Sequence, residues 1–64
     1  MASLDKRVII EFVKVGAYVK VSAIDPTTRV EVSIVGDPSM SQATLERTAV
    51  QKLMYVLNKR KQVN

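Results

Sequence analysis

The chain contains no cysteine, no histidine and no tryptophan. Without cysteine it can form neither a disulfide nor a thiolate zinc site, and without histidine it lacks the commonest general base and metal ligand. It has only two glycines, Gly16 and Gly36, which stand alone and cannot form a glycine-rich phosphate loop. These absences predict a non-enzymatic protein with no cofactor, no metal and no small-molecule substrate.

Long apolar runs are also absent, since no stretch approaches the roughly 18 apolar residues of a membrane-spanning helix. The residues before Val8 carry charge without a preceding apolar run, unlike a signal peptide. We therefore expect a cytoplasmic protein without a membrane partner. A chain of 64 residues predicts one domain over residues 1–64, with residues 1–6 and 62–64 frayed.

The sequence does contain an alternating apolar pattern. Across two turns, its apolar residues stay on one side of the predicted sheet. This pattern predicts three antiparallel strands at about 7–15, 18–25 and 29–36. Gly16 suits the first central position of a type II′ turn, which pairs Val15 with Tyr18 and continues to Ile9 with Ile24. The loop from Asp25 to Thr28 then pairs residues 18–24 with 29–35. The predicted inner face consists of Val8, Ile10, Phe12, Val19, Val21, Ala23, Val30, Val32 and Ile34.

A helix is predicted at about 41–61, after the strand-ending run Gly36-Asp37-Pro38. Ser41 is the expected N-cap, and Ser39 is an alternative two residues earlier. The apolar arc of this helix comprises Leu45, Ala49, Val50, Leu53, Met54, Val56 and Leu57. The fold class is therefore α+β, with a three-stranded antiparallel meander packed on one C-terminal helix.

One helix covers one face of a sheet, so the other face is expected to be open. Its apolar members form the predicted interaction face, which consists of Ile9, Val13, Val15, Tyr18, Ile24 and Val35. Contiguous exposed apolar residues usually mark a contact. A short chain without disulfides also gains stability by burying surface in an oligomer. We expect a homodimer, formed through this face or through the margin of the helical arc at Val50 and Met54, or another protein partner on this face. An exposed apolar surface without a partner is the remaining alternative.

Glu11 and Glu31 are the one carboxylate pair on that face to test for catalysis. Alignment of both with Ser22 would place them about 9–10 Å apart, near the upper separation for an inverting glycosidase pair. A flat face provides no cleft around them. A solvated row of charges is the expectation.

The net charge of +4 is confined to the C-terminal part of the chain. Residues 1–40 hold five acids and five bases, whereas residues 41–64 hold Glu46 against five bases. The predicted basic patch comprises Lys52, Lys59, Arg60 and Lys61. Cations at a helix C-terminus complement the helix dipole, which explains them without a ligand. The alternative function is weak nucleic-acid binding through this basic end.

Most of the chain resembles a family of short alphaproteobacterial proteins known only as a domain of unknown function. The resemblance rests on FVKVG at 12–16, VKVSAIDP at 19–26 and EVSIVG at 31–36. In the helix it rests on LER at 45–47, QKL at 51–53 and YVL at 55–57. It covers about residues 10–60 and implies a free-standing protein. It implies no activity, ligand or site residue.

Overall fold

The computed structural model describes residues 8–62, with side chains described through Arg60. Its elements are β1 (Ile9–Val15), β2 (Tyr18–Ile24), β3 (Glu31–Gly36) and the helix α1 (Gln42–Gln62). The three strands form one antiparallel sheet in the order β1-β2-β3. The predicted α+β meander with one C-terminal helix is thus confirmed. The fraying expected at residues 1–6, 63 and 64 lies outside the described residues, whereas Gln62 still belongs to α1.

The register of β1 on β2 is the predicted one along its whole length, from Val15 opposite Tyr18 to Ile9 opposite Ile24. Gly16 has a φ of 60°, whereas its neighbour Ala17 has no positive φ. A positive φ at the first central residue alone defines a type II′ turn. This turn matches the twist of the flanking strands and holds the register.

The register of β2 on β3 differs from the prediction by two residues. Ser22 lies opposite Ser33, and Ile24 lies opposite Glu31. The third strand begins at Glu31 rather than near residue 29. Because side chains alternate with a period of two, a shift of two residues changes every cross-strand partner and leaves every side chain on its predicted face.

The longer second loop explains this shift. The amide of Asp25 donates to the carbonyl of Val30 at 2.9 Å, so the loop closes on Val30, beyond the predicted end at Thr28. Arg29 has a φ of 67°, and its amide donates to the Asp25 carbonyl at 2.7 Å. The Asp25 carboxylate also accepts a hydrogen bond from the loop backbone, at Thr27 N. A left-handed arginine is not foreseen from the sequence, because this conformation normally favours glycine.

The core lies between the inner face of the sheet and α1. Its buried hydrophobic side chains are Val21, Ala23, Val32, Leu45, Ala49 and Leu53. The other six predicted inner-face residues, at positions 8, 10, 12, 19, 30 and 34, are partly buried against this cluster. The predicted inner face is therefore confirmed in full. Within the predicted helical arc, Val56 and Leu57 also pack on the core, while Met54 is exposed.

Ser41 caps α1, as predicted. Its Oγ accepts a hydrogen bond from the amide of Thr44, the third helical residue, at 3.1 Å. The helix then packs against β2 and β3. The approach is close at Gly36, where a Cβ atom would overlap Cδ2 of Leu45 and lie 3.5 Å from its Cγ. Glycine at the end of β3 thus allows the first turns of α1 to approach the sheet.

Candidate interaction surface

The face of the sheet opposite α1 forms a short grid of side chains. Across β1, β2 and β3 its rows are Val13, Lys20 and Val35, then Glu11, Ser22 and Ser33, then Ile9, Ile24 and Glu31. Val15 and Tyr18 extend it beside the first turn. We call this surface the open face. All six predicted interaction residues lie on it.

Five of these six residues are exposed, namely Ile9, Val13, Val15, Tyr18 and Val35. Val35 is the most exposed of them at 62%, and Val13 follows at 51%. Ile24, on the central strand, is half-buried. The two-residue shift of register places Lys20 between Val13 and Val35. The exposed apolar side chains of the open face therefore lie on β1 and beside the first turn, with Val35 as the apolar member on β3.

Two hydroxyl groups occupy the middle of the open face. Ser22 is 5% exposed, and its Oγ lies 3.0 Å from Oγ of Ser33, directly across the strand pair. A buried hydroxyl without a partner would be costly, so this hydrogen bond satisfies both groups. Sequence reasoning missed this pair, because the shifted register alone brings the two serines together.

The carboxylate pair on this face is wider than predicted. Glu11 does align with Ser22, but Glu31 aligns with Ile24, so the predicted alignment of both with Ser22 is wrong. Two strand spacings and a two-residue offset give a separation of about 12 Å between their backbone positions. Both side chains are exposed. This backbone separation is larger than the predicted one, which was already near the upper limit for an inverting pair.

The edge of the sheet at β3 is contacted by a side chain of the helix. Lys52 of α1 reaches across to β3, where its Nζ donates to the carbonyl oxygen of Ser33 at 2.9 Å. That carbonyl points away from β2, because Ser33 belongs to a pair that does not exchange backbone hydrogen bonds. A lysine at an edge strand is a common protection against further strand pairing. Sequence reasoning assigned Lys52 to a basic patch and missed this role.

The basic patch is less concentrated than its sequence implies. Lys52 is engaged at the β3 edge, and Lys59 lies over the ring of Tyr55, with its Nζ 5.7 Å from the ring centroid. Arg60 is exposed, and the side chain of Lys61 lies outside the described part of the chain. The contact between Lys59 and Tyr55 is a cation–π interaction at the helix surface.

Two further observations concern residues 8–62. In this range no three acidic, histidine or cysteine side chains come together as a metal site would require. The described helix is not long and apolar enough to cross a membrane.

No curated protein and no solved structure shows significant similarity to the chain. A family model described as "Domain of unknown function (DUF6898)" matches residues 5–61. This match includes all three strands and nearly all of the helix, together with both turns that set the sheet register. The chain therefore belongs to the DUF6898 family.

Proposed function

We propose that this protein is a non-enzymatic protein-interaction module that self-associates through its open face. The observation that carries the proposal is the group of five exposed apolar side chains on that face. Apolar side chains gathered on one flat surface gain free energy when a partner removes them from water. Self-association is the first expectation, because it would also enlarge the small hydrophobic core of a short chain.

The composition of the open face supports a protein partner over an anionic one. Its charged side chains include Glu11 and Glu31 as well as Lys20. A surface that binds the phosphate backbone of a nucleic acid is normally rich in cations and poor in acids. The hydroxyl pair at its centre satisfies its own hydrogen bond, so a flat partner can cover it at little cost.

A substitution of Val35 by aspartate tests the proposal. Val35 is the most exposed apolar residue of the open face, so the fold should tolerate the change while a contact there should not. We expect Val35→Asp to weaken the association seen by sedimentation equilibrium between micromolar and millimolar concentration. The association of the native chain should be insensitive to salt, because it rests on apolar burial.

Met54→Asp is the matched control, since Met54 is 51% exposed and lies on α1, away from the open face. It introduces the same charge and should leave the association unchanged. Circular dichroism should confirm that both variants fold. Equal association of the native chain and Val35→Asp would show that the open face is not a contact surface.

Nucleic-acid binding by the basic end of α1 is the alternative proposal. The observation that favours it is the exposed ring of Tyr55 beside Lys59, because an aromatic ring next to a cation can stack on a base near a phosphate. Reversal of charge at Lys59 and Arg60 should then abolish binding of an oligonucleotide at low salt. Binding that survives the reversal would contradict this alternative.

A cytoplasmic location is also part of the proposal. Cell fractionation followed by immunodetection would test it, and recovery of the protein in the membrane or secreted fraction would contradict it.

A further inference from the structure

Within residues 8–62, the edge of the sheet at β1 differs from the protected edge at β3. On β3, the outward carbonyl of Ser33 is bonded by Lys52, and α1 packs over the adjacent strands. β1 is the other edge strand of the sheet. None of the hydrogen bonds within residues 8–62 that lie outside the sheet itself uses a backbone group of β1.

The register shows which backbone groups of β1 point away from the sheet. Val15 and Tyr18 close a two-residue hairpin, and such a closing pair exchanges both of its backbone hydrogen bonds. Bonded and unbonded pairs then alternate along the strands. The amides and carbonyls of Ile10, Phe12 and Lys14 consequently point outward, and Val35 occupies the equivalent position on β3.

The sequence of β1 has few of the usual protections of an edge strand, and its one inward-facing lysine, Lys14, lies at the end of the strand beside the turn. Its seven residues, IIEFVKV, include no proline and no glycine, and their pairing with β2 runs without a bulge. Natural edge strands are normally short, bulged, covered or rich in inward charges. A regular apolar edge of this length is a template for another strand.

We propose that β1 pairs in antiparallel fashion with β1 of a second copy, about a two-fold axis at Phe12. This joins two three-stranded sheets into one continuous sheet of six strands. The proposal concerns a different surface from the open face and holds whether or not the open face binds a partner.

Charge and hydrogen bonding select this register. With the axis at Phe12, Glu11 of each copy faces Val13 of the other, and Lys14 faces Ile10, so no two like charges are directly opposed. The two Phe12 rings become a cross-strand aromatic pair. All three outward-pointing residues of each strand then form hydrogen-bonded pairs.

The neighbouring registers are worse for identifiable reasons. An axis at Glu11 would place two carboxylates directly opposite each other, which is destabilising. An axis at Val13 would pair Ile10 with Gly16 in the turn, so fewer hydrogen bonds would lie within the regular strands. The axis at Phe12 avoids both defects.

The joined sheet would also enlarge the open face. A two-fold axis perpendicular to the sheet leaves both helices on one side and both open faces on the other. Three strands of about seven residues present a flat area of roughly 330 Å², far below the approximately 800 Å² per partner of a stable interface. Six strands present about 660 Å², which approaches that size.

Backbone N-methylation at Phe12 is the direct test, because a chain of 64 residues is accessible to chemical synthesis. The methyl group removes one outward donor per copy and leaves the side chain intact. By symmetry the dimer loses two hydrogen bonds, so we expect its dissociation constant to rise about 5- to 150-fold. N-methylation at Val35 is the matched control on the other edge and should leave edge pairing unchanged.

Sedimentation equilibrium separates this dimer from association through the open face. If copies associate both through β1 and through the open face, the assembly contains four chains. Loss of either contact alone would leave a dimer. Val35→Asp should therefore still form the edge dimer. A native chain that stays monomeric up to millimolar concentration overturns the inference. A dimer that withstands methylation at Phe12 but is lost in Val35→Asp also overturns it and assigns the dimer to the open face.

Amide hydrogen exchange on the unmodified chain covers the case in which the methylated protein does not fold. The amides of Ile10, Phe12 and Lys14 should gain protection as concentration rises, while those of Ser33 and Val35 should not. Protection of the β1 amides that does not change with concentration contradicts pairing with a second copy. Protection that appears only when an extended peptide of another protein is added contradicts it as well.

Discussion

Replacement of Gly36 by alanine tests the close approach of the helix to the end of β3. The added methyl group would overlap Cδ2 of Leu45, a side chain that is 3% exposed in the core. Leu45 must then rotate or α1 must move outward. The first turns of α1 also carry the Ser41 cap and, one turn later, the buried Ala49. A shift there disturbs several contacts at once.

The expected loss can be estimated from two opposing effects. Overpacking of a well-filled core costs about 1–3 kcal/mol. Replacing glycine by alanine restricts the unfolded chain and returns about 0.4–1 kcal/mol. The two ranges combine to a loss of about 0–2.6 kcal/mol, and its midpoint, near 1.3 kcal/mol, lowers the melting temperature of so small a domain by roughly 5–10 °C.

Urea unfolding followed by circular dichroism gives the free energies, and a double-mutant cycle with Leu45→Ala isolates the cause. Leu45→Ala alone should cost about 2–5 kcal/mol, but in that background Gly36→Ala should become nearly neutral because its methyl group enters the vacated space. Gly16→Ala is a control without overlap, since a Cβ atom added there would have no neighbour within 4 Å and only the φ of 60° opposes the change. A stabilising Gly36→Ala, or strictly additive losses in the cycle, would refute the proposed close approach.

Two further predictions concern the loops. Arg29→Gly should raise the free energy of unfolding in urea by about 0.5–1 kcal/mol, because glycine adopts the φ of 67° without strain, whereas Thr28→Gly should lower it. No gain from Arg29→Gly would argue against the left-handed loop residue. Hydrogen bonds from the backbone amide and the side chain of Ser39 lower the pKa of Asp37. The ionised Asp37 therefore contributes its full stabilisation above the ordinary pKa of 3.8, and this contribution is lost as pH falls through the folded-state pKa. Urea midpoints measured below about pH 5 should therefore fall less steeply in Asp37→Asn than in the native chain, and parallel pH profiles would contradict this role.

The strands and faces of this fold were predictable because local signals agreed with the apolar pattern. Gly16 determines a two-residue turn, and only one register across that turn keeps both faces consistent. The second hairpin was predictable only up to a shift of two residues. Pro26 marks a turn but does not show where the loop closes, and the left-handed φ of Arg29 has no local signature.

Two of the missed contacts depend on the position of α1 over the sheet. The periodicity of a helix identifies its apolar side but not the strands that it crosses. The overlap between Gly36 and Leu45 and the bond from Lys52 to Ser33 O therefore could not be read from the sequence. The members of the open face were predictable because side chains alternate between the two faces of a strand. The pairing of Ser22 with Ser33, in contrast, required the correct register.

The composition of the core has a consequence for how the molecule opens. All six of its buried hydrophobic side chains come from β2, β3 and α1, and none comes from β1. The strand with the fewest buried contacts has the lowest free energy of local opening. We therefore expect β1 to separate first, as a single unit hinged at the Gly16 turn, while β2, β3 and α1 remain together. A partner strand paired with β1 would then oppose this local opening. Assembly of the protein would therefore make the hairpin of β1 and β2 more rigid, and loss of the partner would make it less rigid.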